Sequence, residues 1–157
     1  MRYRQWASVV AGIFLGLIFL VAGLGKLPSQ ADAYIIILNL PRALLTPTLA
    51  NYIEIWLPRL ELTLGLLLII GIAAKPVAIF TSAIIAAFIF NNSWLISEGL
   101  AQEPCGCFQG FTNSFLGFIS TEQALYMDIG MLFLALVILF CSPGDWLTVR
   151  PWFLRKK

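Results

Sequence analysis

Two cysteines flanking a single glycine, Cys105-Gly106-Cys107, are the residues of this chain best suited to covalent chemistry. They lie within EPCGCFQGFTNSF, where Pro104 stiffens the approach and Gly110 ends the turn. Gly106 supplies the backbone freedom that a very small ring demands. A disulfide between positions i and i+2 reaches ideal geometry with difficulty, and strained or exposed disulfides tend to be the labile, redox-active ones. Four readings of the pair compete. A static staple would close almost no loop and so stabilise little. A metal site would be half built, because structural zinc takes four ligands and the chain contains no histidine. The pair could be two unrelated buried thiols. The fourth reading, a redox dithiol, is the one the spacing favours, with Cys105 the more exposed because it is nearer the polar stretch EGLAQEP. Cys141 stands apart at the far end of another apolar segment, about 30 Å away if that segment crosses a bilayer. It reads as a packing thiol that cannot resolve the pair.

A second group of residues carries charge where charge is costly. Glu61, Asn91, Asn92 and Asp128 fall inside long apolar stretches, and Lys26 closes another. Counted from the ends of those stretches at about 1.5 Å per residue, the four embedded groups sit about 8–12 Å below one surface, the side that carries the cysteines. Ionisable residues in a membrane usually face the bundle interior. Two readings stay open: these groups merely bond the helices together, or they form a polar pocket that handles protons or a quinone headgroup. Arg59 and Glu61 are two apart on a helix and point to different faces, so Lys26 is the better partner for Glu61.

The elements that must position these groups follow from composition. Of 157 residues, 60% are hydrophobic, against about 45–50% in an average globular chain. Only 11% are charged, against about 25%. A soluble chain of this size could not cover itself with so few polar groups, so the solvent is lipid. The absence of histidine excludes imidazole-ligated haem, most zinc sites and histidine general-base catalysis. A net charge of +2 is too small to suggest nucleic acid as a partner.

Four membrane spans are expected, at about residues 5–25, 52–74, 76–97 and 121–142, within a single membrane domain. The first has 21 uncharged residues between Arg4 and Lys26, longer than a signal peptide's apolar region, and reads as a retained helix. Its Gly12 and Gly16 form a GxxxG pair that would let another helix approach closely. The second opens near Thr46-Pro47, carries a kinking Pro58 and stops near Lys75-Pro76. The third has 22 uncharged residues between Lys75 and Glu98. The fourth starts at a capping box, Ser120 with Gln123, and ends at Cys141-Ser142-Pro143-Gly144.

Seven basic residues, Arg2, Arg4, Lys75, Arg150, Arg155, Lys156 and Lys157, fall at the termini and in the second turn. By the positive-inside rule both termini are cytoplasmic, with outer loops at 26–51 and 98–120. Trp146 and Trp152 fit an interfacial anchor on the inner side. The expected fold is an all-α membrane protein, a four-helix bundle, N-in and C-in. The apolar first outer loop, ADAYIIILNLPRALLTPT, would lie along the outer interface or pack over the bundle, since Pro41 limits its helix to about 8–10 residues, too short to span.

FLVAGLGKL ending the first span, the segment around Tyr34, WLPRLELTLGLLLIIG and CGCFQG resemble, in that order, the MauE branch of the DoxX-like membrane proteins, over roughly residues 7–142. The resemblance implies a four-helix, redox-associated protein of the bacterial inner membrane. MauE proteins are associated with methylamine dehydrogenase maturation beside a thioredoxin-like partner, in a setting where many disulfides must form. Cys105 and Cys107 match the family's CGC, Lys26 its first-span lysine and Glu61 its second-span glutamate. Where the family usually reads CGCFG, Gln109 intervenes here before Gly110, which alters the turn but leaves the cysteines in place.

The function expected on this basis is thiol–disulfide exchange. An extracytoplasmic dithiol would pass electrons between a thioredoxin-like or disulfide-bearing protein and the membrane, with quinone a candidate acceptor. Disulfide oxidases of the DsbB type use two outer cysteine pairs, whereas this chain has one. The rival reading is a non-catalytic accessory subunit of a larger membrane complex. A small transporter is disfavoured, because no repeat or pair of broken helices marks a midplane site.

Overall fold

The computed structural model describes residues 2–26, 47–102 and 119–142. Among them run four helices: α1 Arg2–Lys26, α2 Pro47–Ile70, α3 Ala74–Ser97 and α4 Thr121–Cys141. The apolar segment before Pro47, the Cys105–Cys107 motif and the tail with Trp146 and Trp152 lie outside the described residues.

Three of the helices, α1 from Trp6, α3 and α4, are long and apolar enough to cross a membrane. Their outward faces are as apolar as their core. Phe14, Phe80, Phe90, Phe133 and Phe140 all point away from the bundle, Phe140 with 70% of its surface exposed. Water would penalise that much contiguous apolar area, and a hydrocarbon solvent does not. Hydroxyls are handled as lipid requires: Ser82 donates to the Ala78 carbonyl at 2.7 Å and Thr63 to the Arg59 carbonyl at 2.8 Å, each within its own helix. The chain is an integral membrane protein.

The helix ends show how the sequence sets the spans. Ser120 caps α4: its hydroxyl accepts from the Gln123 amide and the Gln123 side chain accepts from the Ser120 amide, both at 3.3 Å. This is the expected capping box, and it satisfies two amides that would otherwise lack partners. Ser120→Ala is expected to lower stability by about 1 kcal/mol, read as an earlier thermal transition of the lipid-embedded protein.

The turn between α2 and α3 differs from expectation. The sequence suggests that the second helix runs to about residue 74, yet it ends at Ile70. Gly71 adopts φ 72° and Ala73 φ 49°, left-handed conformations that reverse the chain before Lys75 is reached. Lys75 and Pro76 therefore sit in the first turn of α3, where a missing proline N–H removes no helical bond. Pro58 lies inside α2, which continues past it to Ile70.

Around the bundle the order is α2, α1, α4, α3. α1 packs along both α2 and α4, α3 packs along α4, and α2 and α3 touch least among neighbouring helices although the shortest turn joins them. Leu15 and Phe19 of α1, Leu68 of α2, Ala78 and Ile85 of α3, and Ala135 and Ile138 of α4 fill the centre. The α1–α2 contact is the closest crossing. A Cβ on Gly16 would stand 2.7 Å from the Gly65 carbonyl oxygen, and one on Gly12 would stand 3.2 Å from that of Leu68. The GxxxG pair therefore does admit a neighbouring helix, and Gly65 is its counterpart on α2.

Candidate functional site

The close crossing determines where α1 ends. Gly23 passes against the Pro58 carbonyl and Leu62, which brings the last residue of α1 beside the second half of α2. Lys26 Nζ lies 2.5 Å from Glu61 Oε1, the pairing anticipated from the sequence. Glu61 is 1% exposed and the Lys26 side chain 14%, so both charges are largely removed from solvent. Arg59 takes no part. It is exposed and lies over the Trp56 ring at 5.4 Å, consistent with its different helical face.

The other two helices complete the arrangement. Phe88 of α3 presents its ring 4.9 Å from Lys26 Nζ, within range of a cation–π attraction. One turn further along the same face, Asn92 donates from Nδ2 to Asp128 Oδ2 of α4 at 2.8 Å. Both partners are buried. Lys26, Glu61, Asp128 and Phe88, with Ile18, Phe19, Ala22 and Met131, line a small pocket with about 20 Å³ free. That volume admits one water molecule.

Of the residues singled out by charge and depth, Lys26, Glu61, Asn92 and Asp128 are thus gathered from four different helices. Asn91 is half-buried and joins none of these bonds, because one helical step turns it away from Asn92's face. Phe88 was not anticipated. Its signal is the spacing of four to Asn92, which places an aromatic ring and an amide on one stripe.

Cys105 and Cys107 lie outside the described residues. The Glu122 amide donates to the Ala101 carbonyl at 3.2 Å, which ties the residues after α3 to the start of α4. Asn92 and Asp128 lie five and seven residues below those helix ends, about 8–11 Å along the axes. Cys141 is a free, half-buried thiol at the opposite end of α4. Among the described residues no group of three or more histidine, cysteine, aspartate or glutamate side chains could hold a metal ion.

No curated protein and no solved structure matches the chain. The family model described as methylamine utilisation protein MauE matches residues 4–141, which takes in all four polar residues and the CGC segment, and the chain accordingly belongs to the MauE family.

Proposed function

We propose that the chain is a membrane thiol–disulfide redox protein whose Cys105–Cys107 pair exchanges electrons with a thioredoxin-like protein outside the cytoplasm during protein maturation. The observation that carries this reading is the family match across residues 4–141, a range that includes Cys105 and Cys107. In the forward step a thiolate of the partner attacks one sulfur of the Cys105–Cys107 disulfide. That bond breaks, a mixed disulfide forms, and the partner's second thiol resolves it. The partner leaves oxidised and Cys105 and Cys107 hold two electrons and two protons. A two-electron, two-proton acceptor such as a quinone would restore the disulfide.

The same reading assigns a topology in the bacterial inner membrane. α2 has 24 residues, about 36 Å of helix, enough to cross beside the other three. With four crossings the basic termini and Lys75 fall on one side, the cytoplasmic one, and the CGC segment on the other.

The test is thiol trapping of the pair in membranes across a glutathione series. A reversible couple within about −120 to −270 mV, the span from strong oxidants to thioredoxin, is expected. Cys105→Ser and Cys107→Ser are each expected to abolish exchange while leaving the protein inserted and folded. Thiols that never oxidise, or a bond that never reduces, would make the pair structural and the protein an accessory subunit.

A further inference from the structure

The pocket formed by all four helices holds an unequal count of charges. From α1 comes the ammonium of Lys26, from α2 the carboxyl of Glu61, from α3 the amide of Asn92 and the ring of Phe88, and from α4 the carboxyl of Asp128. Of the other charged side chains described on these helices, Arg59, Glu98 and Glu122 are exposed, and Lys75 stands at the opposite end of the bundle. Among the described residues two carboxyls therefore share one ammonium inside a low-dielectric interior. A buried, uncompensated negative charge is so unfavourable there that the group neutralises by binding a proton.

The hydrogen bonds are unequal in the same way. Lys26 serves Oε1 of Glu61 and Asn92 serves Oδ2 of Asp128, whereas Oε2 of Glu61 is buried with no hydrogen-bond partner among the described residues. A protonated carboxyl is a donor as well as an acceptor, so a proton supplies what this oxygen lacks. The pocket beside it has room for one water, with Lys26, Glu61 and Asp128 as its polar partners. A metal ion fits less well, because the ammonium already occupies one oxygen of Glu61 and would repel a second cation.

We propose that this pocket is a proton-binding site in which one proton is shared between Glu61 and Asp128, beside the fixed positive charge of Lys26. Delivery of that proton to the reduced dithiol rests on the redox reading above; the binding site itself does not.

The experiment is infrared difference spectroscopy of the full chain in lipid vesicles, with pH steps in H2O and D2O. At neutral pH the unsubstituted protein is expected to show one buried, protonated carboxyl whose C=O stretch shifts in D2O. Glu61→Gln or Asp128→Asn leaves one carboxylate matched to one ammonium, so each is expected to abolish that band. Lys26→Met leaves two carboxyls with no ammonium and is expected to double it. Absence of the band from the unsubstituted protein, its survival in either carboxyl variant, or no gain in Lys26→Met would overturn the proposal. The measurement on the unsubstituted protein stands even if a variant fails to insert. Thiol trapping on the same unsubstituted vesicles separates the two readings: an inert dithiol with the band present removes the redox function and leaves the proton site intact.

Discussion

Replacing Gly65 by valine is expected to separate α1 from α2 and leave little folded protein in the membrane. A Cβ at Gly65 would stand 2.8 Å from the Gly16 carbonyl oxygen and 3.1 Å from both Cγ and the backbone nitrogen of Leu20. Side chains can rotate away from such contacts, but a helical carbonyl cannot, so the two helix axes would have to part. Overpacking usually costs about 1–3 kcal/mol where neighbours can shift, and here the obstacle is backbone, which puts the cost at or above the top of that range. Tight van der Waals contact is also the main force holding helices together in lipid, where no hydrophobic drive remains to compensate. Displacing α1 would withdraw Lys26 from Glu61, so the site would be lost together with the crossing. Gly130→Val is the matched control, since a Cβ there meets nothing within 4 Å. Thermal unfolding of the two variants in the same lipid checks the argument. A Gly65→Val protein that melts with the unsubstituted one would mean that α1 and α2 do not cross at these glycines.

That crossing also shows where sequence reasoning stops. Gly12 and Gly16 are visible as a spaced pair, but a small-residue motif states only that something approaches, and Gly65 carries no mark that makes it the counterpart. The long helices were legible because an unbroken apolar run has a length: the 21 uncharged residues between Arg4 and Lys26 fall in one helix. The start of α4 was legible because a capping box is a local bond between neighbours in sequence. The end of α2 was not, because Gly71 and Lys75-Pro76 are both stop signals and the earlier one acts. The level of the polar residues along their helices was readable, since every helical residue rises by the same amount. Azimuth was not. Asn91 and Asn92 share a depth, yet only the second faces Asp128. Phe88 escaped notice because an aromatic in a lipid-facing sequence is unremarkable until the lysine beneath its ring is located.

Lys26→Met is expected to destabilise the bundle by about 3 kcal/mol, and a second substitution, Glu61→Gln, is expected to restore much of it. Two opposing costs set these values. Taking an ammonium and a carboxylate out of solvent is expensive for both, and their attraction repays the expense only while both are present. Removing one partner of such a pair typically costs about 3–5 kcal/mol, because the other remains as an unmatched buried charge. At 1% exposure Glu61 is not solvated as a carboxylate, but it can take up a proton, which holds the loss near the lower end. Methionine keeps the length and most of the volume of the lysine stem, so packing against Phe88 and Phe19 changes little. With Glu61→Gln in the same chain the Glu61 charge is no longer stranded, and Asp128 keeps its bond from Asn92 and holds the proton. The double variant should then melt well above the sum of the two single losses, with a coupling energy in the upper half of the roughly 0.5–3 kcal/mol seen for residues in contact. Unfolding measured for all four proteins of this cycle decides the matter. Losses that add within about 0.5 kcal/mol would mean that Lys26 and Glu61 behave as independent sites, and that the proximity of their charges contributes nothing to holding α1 against α2.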